Sequence, residues 1–404
     1  MKGSIRQRSK GSWEVCIDIG TDPQSGKRRR HFESIRGSKR GAQKRLAELM
    51  VSIDKGSYVR PKRLTVAQYL EQWLQGYVVT NTAPRTRERY EEIVRVHLIP
   101  ALGSLQLSAL QPEHIERYYA NALESGRRDG KGGLSALTVH KHHRVLYEAL
   151  KHGVKHSILV RNPAQAADPP NPSNKELTMI GLEKVRLLLD AAKGTLYYAA
   201  FFTAVYTGLR RGELLGLRWC DVDLDLATLS VVQTLQQLRG GEYIFRPPKS
   251  RRGRRQIALS PSLAIMLRQH RARQEDAQKF LGKRPAPTDL VFSHADGTPV
   301  RPDSITRAFK AIAQSLGLDG VRLHDLRHAH ATLMLQQGVH PKIVQERLGH
   351  SSVATTLDIY SHVLPGLQEA AARRFEEGLQ SASPASQAAD VLEENVGKMS
   401  ATLP

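Results

Sequence analysis

At roughly 100 to 200 residues per domain, a chain of 404 residues predicts two or three domains. Its 60 Lys and Arg against 39 Asp and Glu leave a formal net charge of +21, far beyond what solubility requires, so a polyanionic partner is expected, nucleic acid first. No apolar run reaches the about 18 residues of a membrane span. The only cysteines, Cys16 and Cys220, have no CxxC or Cys/His ligand spacing, so membrane, disulfide framework and zinc site are all excluded from the expectation.

The chain opens on the basic MKGSIRQRSK with no apolar segment or small-residue cleavage site behind it; no secretory signal is read, and a cytoplasmic protein is expected. Residues 1–60 carry 15 Lys and Arg against 6 Asp and Glu. Trp13, Val15, Ile17 and Ile19 alternate with Glu14, Cys16 and Asp18, the period of a half-buried strand. A turn, GTDPQSG, precedes a second strand over 27–32 that carries Arg28, Arg29 and Arg30. A helix over 38–54 then turns Ala42, Leu46, Leu49 and Ile53 inward. This small sheet plus helix is read as a nucleic-acid contact, with a solvated basic face as the alternative.

A second domain begins near Leu64, where Thr65 and Gln68 have capping-box spacing and Val66, Tyr69, Leu70, Trp73 and Leu74 mark one helix face. Further helices are expected over 84–98, 112–123 and 137–154, separated by LGSLQLS and SGRRDGKGG. The Pro- and Asn-rich NPAQAADPPNPSN reads as a linker. The expected layout is a basic domain at 1–60, a helical domain at 64–161, a linker at 162–175, a third domain at 176–380 and a poorly ordered tail at 381–404.

The third domain holds the chemistry. In FFTAVYTGLRRGELLGLRW a helix breaks at Gly208 and a second begins at Arg210 above Leu214, Leu215 and Leu217. A guanidinium there matches two phosphate oxygens and keeps its charge; the plainer reading is a local ion pair with Glu213. In HDLRHAHATLMLQQG, His324 and Arg327 share one helix face, and Gly338 is a stop. The cluster His324, His328 and His330 has no carboxylate or thiolate in ligand spacing, so no metal is expected. In VHPKIVQERLGHSSVATTLDIYSHV, Pro341 starts a helix, Gly349 ends it, His350 follows, and Ser351 or Ser352 can cap a last helix carrying Tyr360. A phenol, whose reference pKa is about 10, becomes a nucleophile only beside cations and a base. A tyrosine flanked by Leu357 and Ile359 can equally be a packing residue.

Together, TGLRRGELLGL, HDLRHAHAT and LGHSSVATTLDIYSHV resemble the boxes of the tyrosine recombinase, or phage integrase, family. The resemblance implies that Arg210, His324, Arg327, His350 and Tyr360 are catalytic, with Tyr360 the nucleophile and Glu213 in support. It also implies a lysine in a β-hairpin between the first two boxes. LATLSVVQTL, RGGE and YIFRPPKSRRGRRQIAL read there as strands and turns in which Lys249 is the only lysine. Since the arginines of SRRGRR hold their protons too tightly, Lys249 is the expected general acid, with a plain phosphate contact as its alternative. Arg251, Arg252 and Arg254 of that loop are expected to touch DNA, as are Arg28, Arg29 and Arg30.

Residues 1–60 resemble the family's arm-type binding domain, and the helices from Leu64 to VRNPA its core-site-binding domain. The implied fold class is multidomain α+β, mainly helical with small antiparallel sheets. The implied activity is site-specific recombination through a 3′-phosphotyrosyl link, without cofactor, metal or ATP, in the bacterial cytosol at the nucleoid. Double-stranded attachment-site DNA is the implied partner, with self-association as a tetramer and room for a directionality factor or DNA-bending protein. Leu367, Ala371, Phe375 and Leu379 recur at helical spacing, for docking on another protomer or on their own domain. The same chemistry would serve a type IB topoisomerase, and the charge alone a DNA-binding regulator. The arm-like N-terminus and VRNPA favour the integrase over the first, the complete residue set over the second.

Overall fold

A computed structural model describes residues 3–21, 26, 28–54, 63–172, 180–360, 372–373, 375–377 and 379–380. Of the expected turn GTDPQSG, residues 20 and 21 belong to the strand Ser12–Thr21, while residues 22–25, the tail at 381–404, and Leu367 and Ala371 of the C-terminal stripe lie outside the described residues. The chain forms two compact units, residues 1–175 and 176–404. It is mainly helical with small antiparallel sheets, the architecture the resemblance implies. No described helix is long and apolar enough to cross a membrane.

In the first unit β1 (Gly3–Ser9), β2 (Ser12–Thr21) and β3 (Arg28–Arg36) form an antiparallel sheet in that order, followed by α1 (Lys39–Asp54). Val15 and Ile17 pack with Ala42 and Leu49 of α1. Side chains alternate across a strand, and Cys16 and Asp18 stand opposite Phe32 and Arg30, so those two and Arg28 lie on the face away from that core. The strand β1 is an addition to the sequence reading. Its only large apolar residue is Ile5 and most of its side chains are exposed, so it carries no alternating hydrophobic signal.

Farther along that unit, α2 (Val66–Trp73) has the reciprocal cap, with Gln68 N donating to Thr65 Oγ1 and Thr65 N to Gln68 Oε1. It continues through a π-helical turn over Leu74–Val78 into Val79–Asn81. The next helix, α3 (Pro84–Glu92), likewise runs through Ile93–Leu98 to Leu102, and α4 (Pro112–Ser125) and α5 (Ala136–Lys155) complete a four-helix core around Tyr69, Leu70, Ile115 and Leu146. The expected linker starts later than its composition suggests. Pro163 begins a short 3-10 turn, Ala164 and Ala167 are buried in the helical core, and the Asn162 amide donates to Tyr147 O. Two alanines suffice to dock a segment whose prolines and asparagines read as solvent-loving.

The second unit starts with α6 (Leu182–Ala192), α7 (Tyr198–Thr207) and the short α8 (Arg211–Leu215). Next come β4 (Val222–Asp223), β5 (Thr228–Val231), β6 (Thr234–Gln237), β7 (Tyr243–Arg246) and β8 (Arg255–Ala258). These pair as a β4–β5–β8 sheet and a β6–β7 hairpin. The remaining helices are α9 (Pro261–Phe280), α10 (Pro302–Ser315), α11 (Asp325–Gln336), α12 (Pro341–Leu348) and α13 (Val353–Tyr360). Phe201 of α7 meets Phe309 of α10 edge-on in a core that includes Leu214, Leu215 and Leu263. A smaller cluster of Ala331, Leu335, Val344 and Leu348 joins α11 to α12. Of the C-terminal stripe, Phe375 and Leu379 are exposed.

Candidate active site

Two left-handed glycines set the site's geometry. Gly208 ends α7 with φ 66°, and a Cβ there would come within 2.6 Å of Leu348 and 2.8 Å of His330. Gly349 ends α12 with φ 67°, where a Cβ would stand 3.0 Å from Arg252 O and 3.1 Å from Arg255 Nη1. Only glycine combines this backbone with so close an approach.

The turn after α12 collects the arginines. Arg327, 3% exposed in the first turn of α11, donates Nη1 to Gly208 O at 2.7 Å and Nη2 to Leu348 O at 2.6 Å. One residue on, Gly349 O accepts Arg210 Nη2 at 3.2 Å. Arg210 caps α8, with Nη1 on Glu213 Oε1 at 2.8 Å and its backbone N on Glu213 Oε2 at 3.0 Å. Its side chain stays 41% exposed, while Glu213 is 2% exposed. The ion pair with Glu213 that its spacing allows is formed, and the side chain still faces solvent.

His350 follows directly and is buried, its Nδ1 lying 2.9 Å from Thr356 Oγ1 in α13. Burial first, then the cations Arg327 and Arg210, push its pKa down to about 4. His324 starts α11 with its ring edge-on to His328 at 5.1 Å. Crowding by protein atoms, then His328 and Arg327, lower its pKa to about 4. The ring is exposed at the surface, beside the Arg327 guanidinium. Both rings are neutral at pH 7 and can accept a proton.

The three histidines of HDLRHAHAT do not converge. His330 turns away from His324 and His328, with Nδ1 2.9 Å from Val205 O and Nε2 accepting from Arg347 Nε at 3.1 Å. That pattern fixes a neutral ring, protonated on Nδ1. Arg347 also binds Ala258 O and Tyr206 O, tying α12 to β8 and α7. Among the described residues no group of three or more His, Cys, Asp or Glu is placed to hold a metal ion.

Lys249 lies exposed in the bend after β7. In the same loop Arg252 donates to Ser351 O, and Arg254 is exposed. Tyr360 closes α13, and its side chain, like those of Arg29 and Arg251, lies outside the described residues. Arg28 and Arg30 are exposed on β3. Sequence reasoning passed over Arg255, whose side chain is 6% exposed and meets Glu213 Oε2 at 2.9 Å. The signal was there: Arg255, Ile257 and Leu259 occupy alternate positions, and two of the three are core residues.

A profile described as Phage integrase family matches residues 179–366, and one described as Phage integrase, N-terminal SAM-like domain, matches residues 65–123. A tyrosine recombinase XerC-like protein of Caldanaerobacter subterraneus subsp. tengcongensis is 27% identical over 90% of this chain and 95% of its own length. The ICEBs1 integrase of Bacillus subtilis is 25% identical over 93% and 99%. Among solved structures, the Tn1549 transposon integrase in complex with a circular intermediate DNA superposes with a TM-score of 0.65 at 21% identity, covering 77% of this chain and 99% of that one. A lambda integrase dimer bound to a core site gives 0.54 at 19%, covering 89% and 96%.

Proposed function

We propose that this chain, which belongs to the phage integrase family and is a tyrosine-type site-specific recombinase, breaks and rejoins DNA with the groups gathered at the Leu348–His350 turn. The observation that carries the reading is the convergence there. Carbonyls of consecutive residues hold Arg327 and Arg210, the next residue is His350, and the helix bearing Tyr360 begins three residues later.

In the proposed reaction Arg210 and Arg327 bind the non-bridging oxygens of one phosphodiester and stabilise the charge that grows on them. The Tyr360 phenolic oxygen attacks phosphorus and gives its proton to a neutral histidine, His350 or His324. The bond from phosphorus to the 5′ oxygen breaks, and Lys249 protonates that oxygen. A 5′ hydroxyl of a partner strand then attacks the 3′-phosphotyrosine, so the phosphodiester is restored and tyrosine is regenerated. Bond energy is conserved throughout and no nucleotide cofactor takes part.

The excess of positive charge supports attachment-site DNA as partner, with Arg28, Arg29, Arg30, Arg251, Arg252 and Arg254 contributing phosphate contacts. Pairing two duplexes needs four strand cuts, so a tetramer on DNA is proposed, with a directionality factor or DNA-bending protein as accessory partners. The work is placed in the bacterial cytosol at the nucleoid.

The test is a nicked suicide duplex carrying the candidate attachment site, incubated in excess chelator and run on a denaturing gel. The unaltered protein is expected to give a protein–DNA adduct and Tyr360→Phe none, with DNA binding retained. An adduct from the Phe variant would remove Tyr360 as nucleophile.

A further inference from the structure

The basic loop SRRGRR ends at a residue that behaves unlike its neighbours. Arg252 and Arg254 are exposed, whereas Arg255 is the first residue of β8, pairs with Val231 of β5, and points to the side of the buried Ile257. Its donors are spread over three elements. Nε binds Arg347 O in the last turn of α12 at 2.6 Å, Nη1 binds Gly253 O at 3.1 Å, and the Nη1 and Nη2 fork takes both oxygens of Glu213 at 3.3 and 2.9 Å.

We infer that Arg255 is a positioning residue for strand transfer, holding Glu213, and through it Arg210, against the Gly349–His350 turn while anchoring the end of the loop that carries Lys249. The inference rests on the roles proposed for Arg210 and Lys249. Arg255 itself touches no reacting atom in that scheme; it acts through what it holds.

The physical case begins with Glu213. Its carboxylate is buried and is shared between Arg255 on one side and Arg210, which is half-exposed, on the other. A buried carboxylate without a matching cation is costly. With Arg255 removed, Arg210 is left as the counter-charge and is drawn from the phosphate site toward Glu213. Burial pushes the Glu213 carboxyl up, but the Arg255 hydrogen bond and charge, then Arg210, outweigh it and hold it below the usual carboxylate range. The charged groups around it are Arg255 from β8 and Arg210 at the start of its own helix. From α12, Arg347 offers its carbonyl to Arg255 while its guanidinium goes to His330, and His350 in the turn feels both Arg255 and Arg210.

Removing Arg255 therefore hands Glu213 back to its burial. Its pKa rises, and two consequences run in opposite directions with pH. A protonated Glu213 no longer holds Arg210 by charge and keeps only weaker acceptor contacts, so adduct formation by Arg255→Gln falls further as pH is lowered through the raised value. A group whose folded pKa lies above its unfolded one stabilises the fold when protonated, so Glu213's own contribution to the stability of the same variant rises as pH is lowered, against the loss that buried histidines such as His330 impose on every variant.

The experiment measures adduct formation on the suicide duplex and chemical denaturation, both across pH, for the unaltered protein, R255Q, R255K and the double variant R255Q/E213Q. R255Q is expected to slow adduct formation by about tenfold to a hundredfold, to show a steeper acid fall in rate than R255Q/E213Q, and to gain stability toward acid relative to that double variant. R255K, with the charge but not the fork, recovers part of the rate. In R255Q/E213Q the Glu213 part of both pH responses vanishes and only that of the histidines remains, because the amide that replaces the carboxyl does not titrate. R255Q at the unaltered rate, or slowed with an unaltered pH profile, overturns the inference and leaves the reading of the site intact. An unaltered protein that forms no adduct overturns the reading itself, and the inference with it.

Discussion

The two ends of the described chain use arginine in contrary ways. On β3, Arg28 and Arg30 are exposed to solvent. Around the Leu348–His350 turn the guanidinium groups of Arg255, Arg327 and Arg347 are turned inward, onto carbonyls of residues 206, 208, 253, 258, 347 and 348 and onto Glu213. An exposed cation attracts a polyanion from a distance, weakly and with strong screening by salt. A buried, hydrogen-bonded one is costly to assemble but needs no reorganisation when charge develops in front of it. The lesson is that net charge measures only the first kind. Arg327, proposed to bind phosphate, and the arginines packed around it are recognised by which groups hold them, not by how many positive charges surround them.

The contrast breaks most sharply at Arg327. Arg327→Ala removes both carbonyl ties and the charge, and adduct formation is expected to fall about a hundredfold or more. Arg327→Lys should recover little, because an ammonium is a point charge that cannot span Gly208 O and Leu348 O as a planar fork does. Adduct yields on the suicide duplex measure both; a Lys variant near the unaltered rate would mean that charge suffices here as it does on the sheet.

A middle-sized effect comes from pH. His330 is held neutral between Val205 O and Arg347, with burial first and then Arg347 lowering its pKa to about 3. Its unfolded value is about 6.5. Between those two values the unfolded chain binds a proton that the folded chain refuses, so this contribution to stability is present above about pH 6.5 and is lost as pH falls. His330→Asn keeps a donor toward Val205 O and removes the titration. Denaturation curves across that window should show a slope shallower by up to about 1.4 kcal/mol per pH unit than the unaltered protein. An identical slope would place the buried histidine's proton balance elsewhere.

How far the site was legible in the sequence follows the same division. Gly208, Gly349 and Pro341 are punctuation, readable because few residues tolerate those backbone positions, and they located the helix ends around Arg210 and His350. The helix face of Val66, Tyr69, Leu70 and Trp73 was readable from its spacing. What could not be read was partnership. Arg255 lies 42 residues from Glu213 and Arg347 lies 141 from Tyr206, and no local pattern encodes a hydrogen bond between them. The strand β1 was missed for lack of apolar residues, and Ala164 and Ala167 were missed because a small buried residue looks the same in a linker.

The smallest effect tests the exposed end of the comparison. If Arg28 and Arg30 meet phosphates as mobile surface charges, replacing each by Ala should weaken DNA binding to a similar degree on any sequence, since phosphates carry no sequence information. Each lost phosphate contact should also flatten the dependence of log affinity on log salt by about 0.9. Titrations of the double variant at several salt concentrations, on an attachment-site duplex and a scrambled one, measure both. An unchanged slope would make Arg28 and Arg30 a solvated face. A loss confined to the attachment-site duplex would show instead that this face, with the exposed Phe32 beside them on the same strand, reads base edges, and that exposed arginines here are held as specifically as the buried ones.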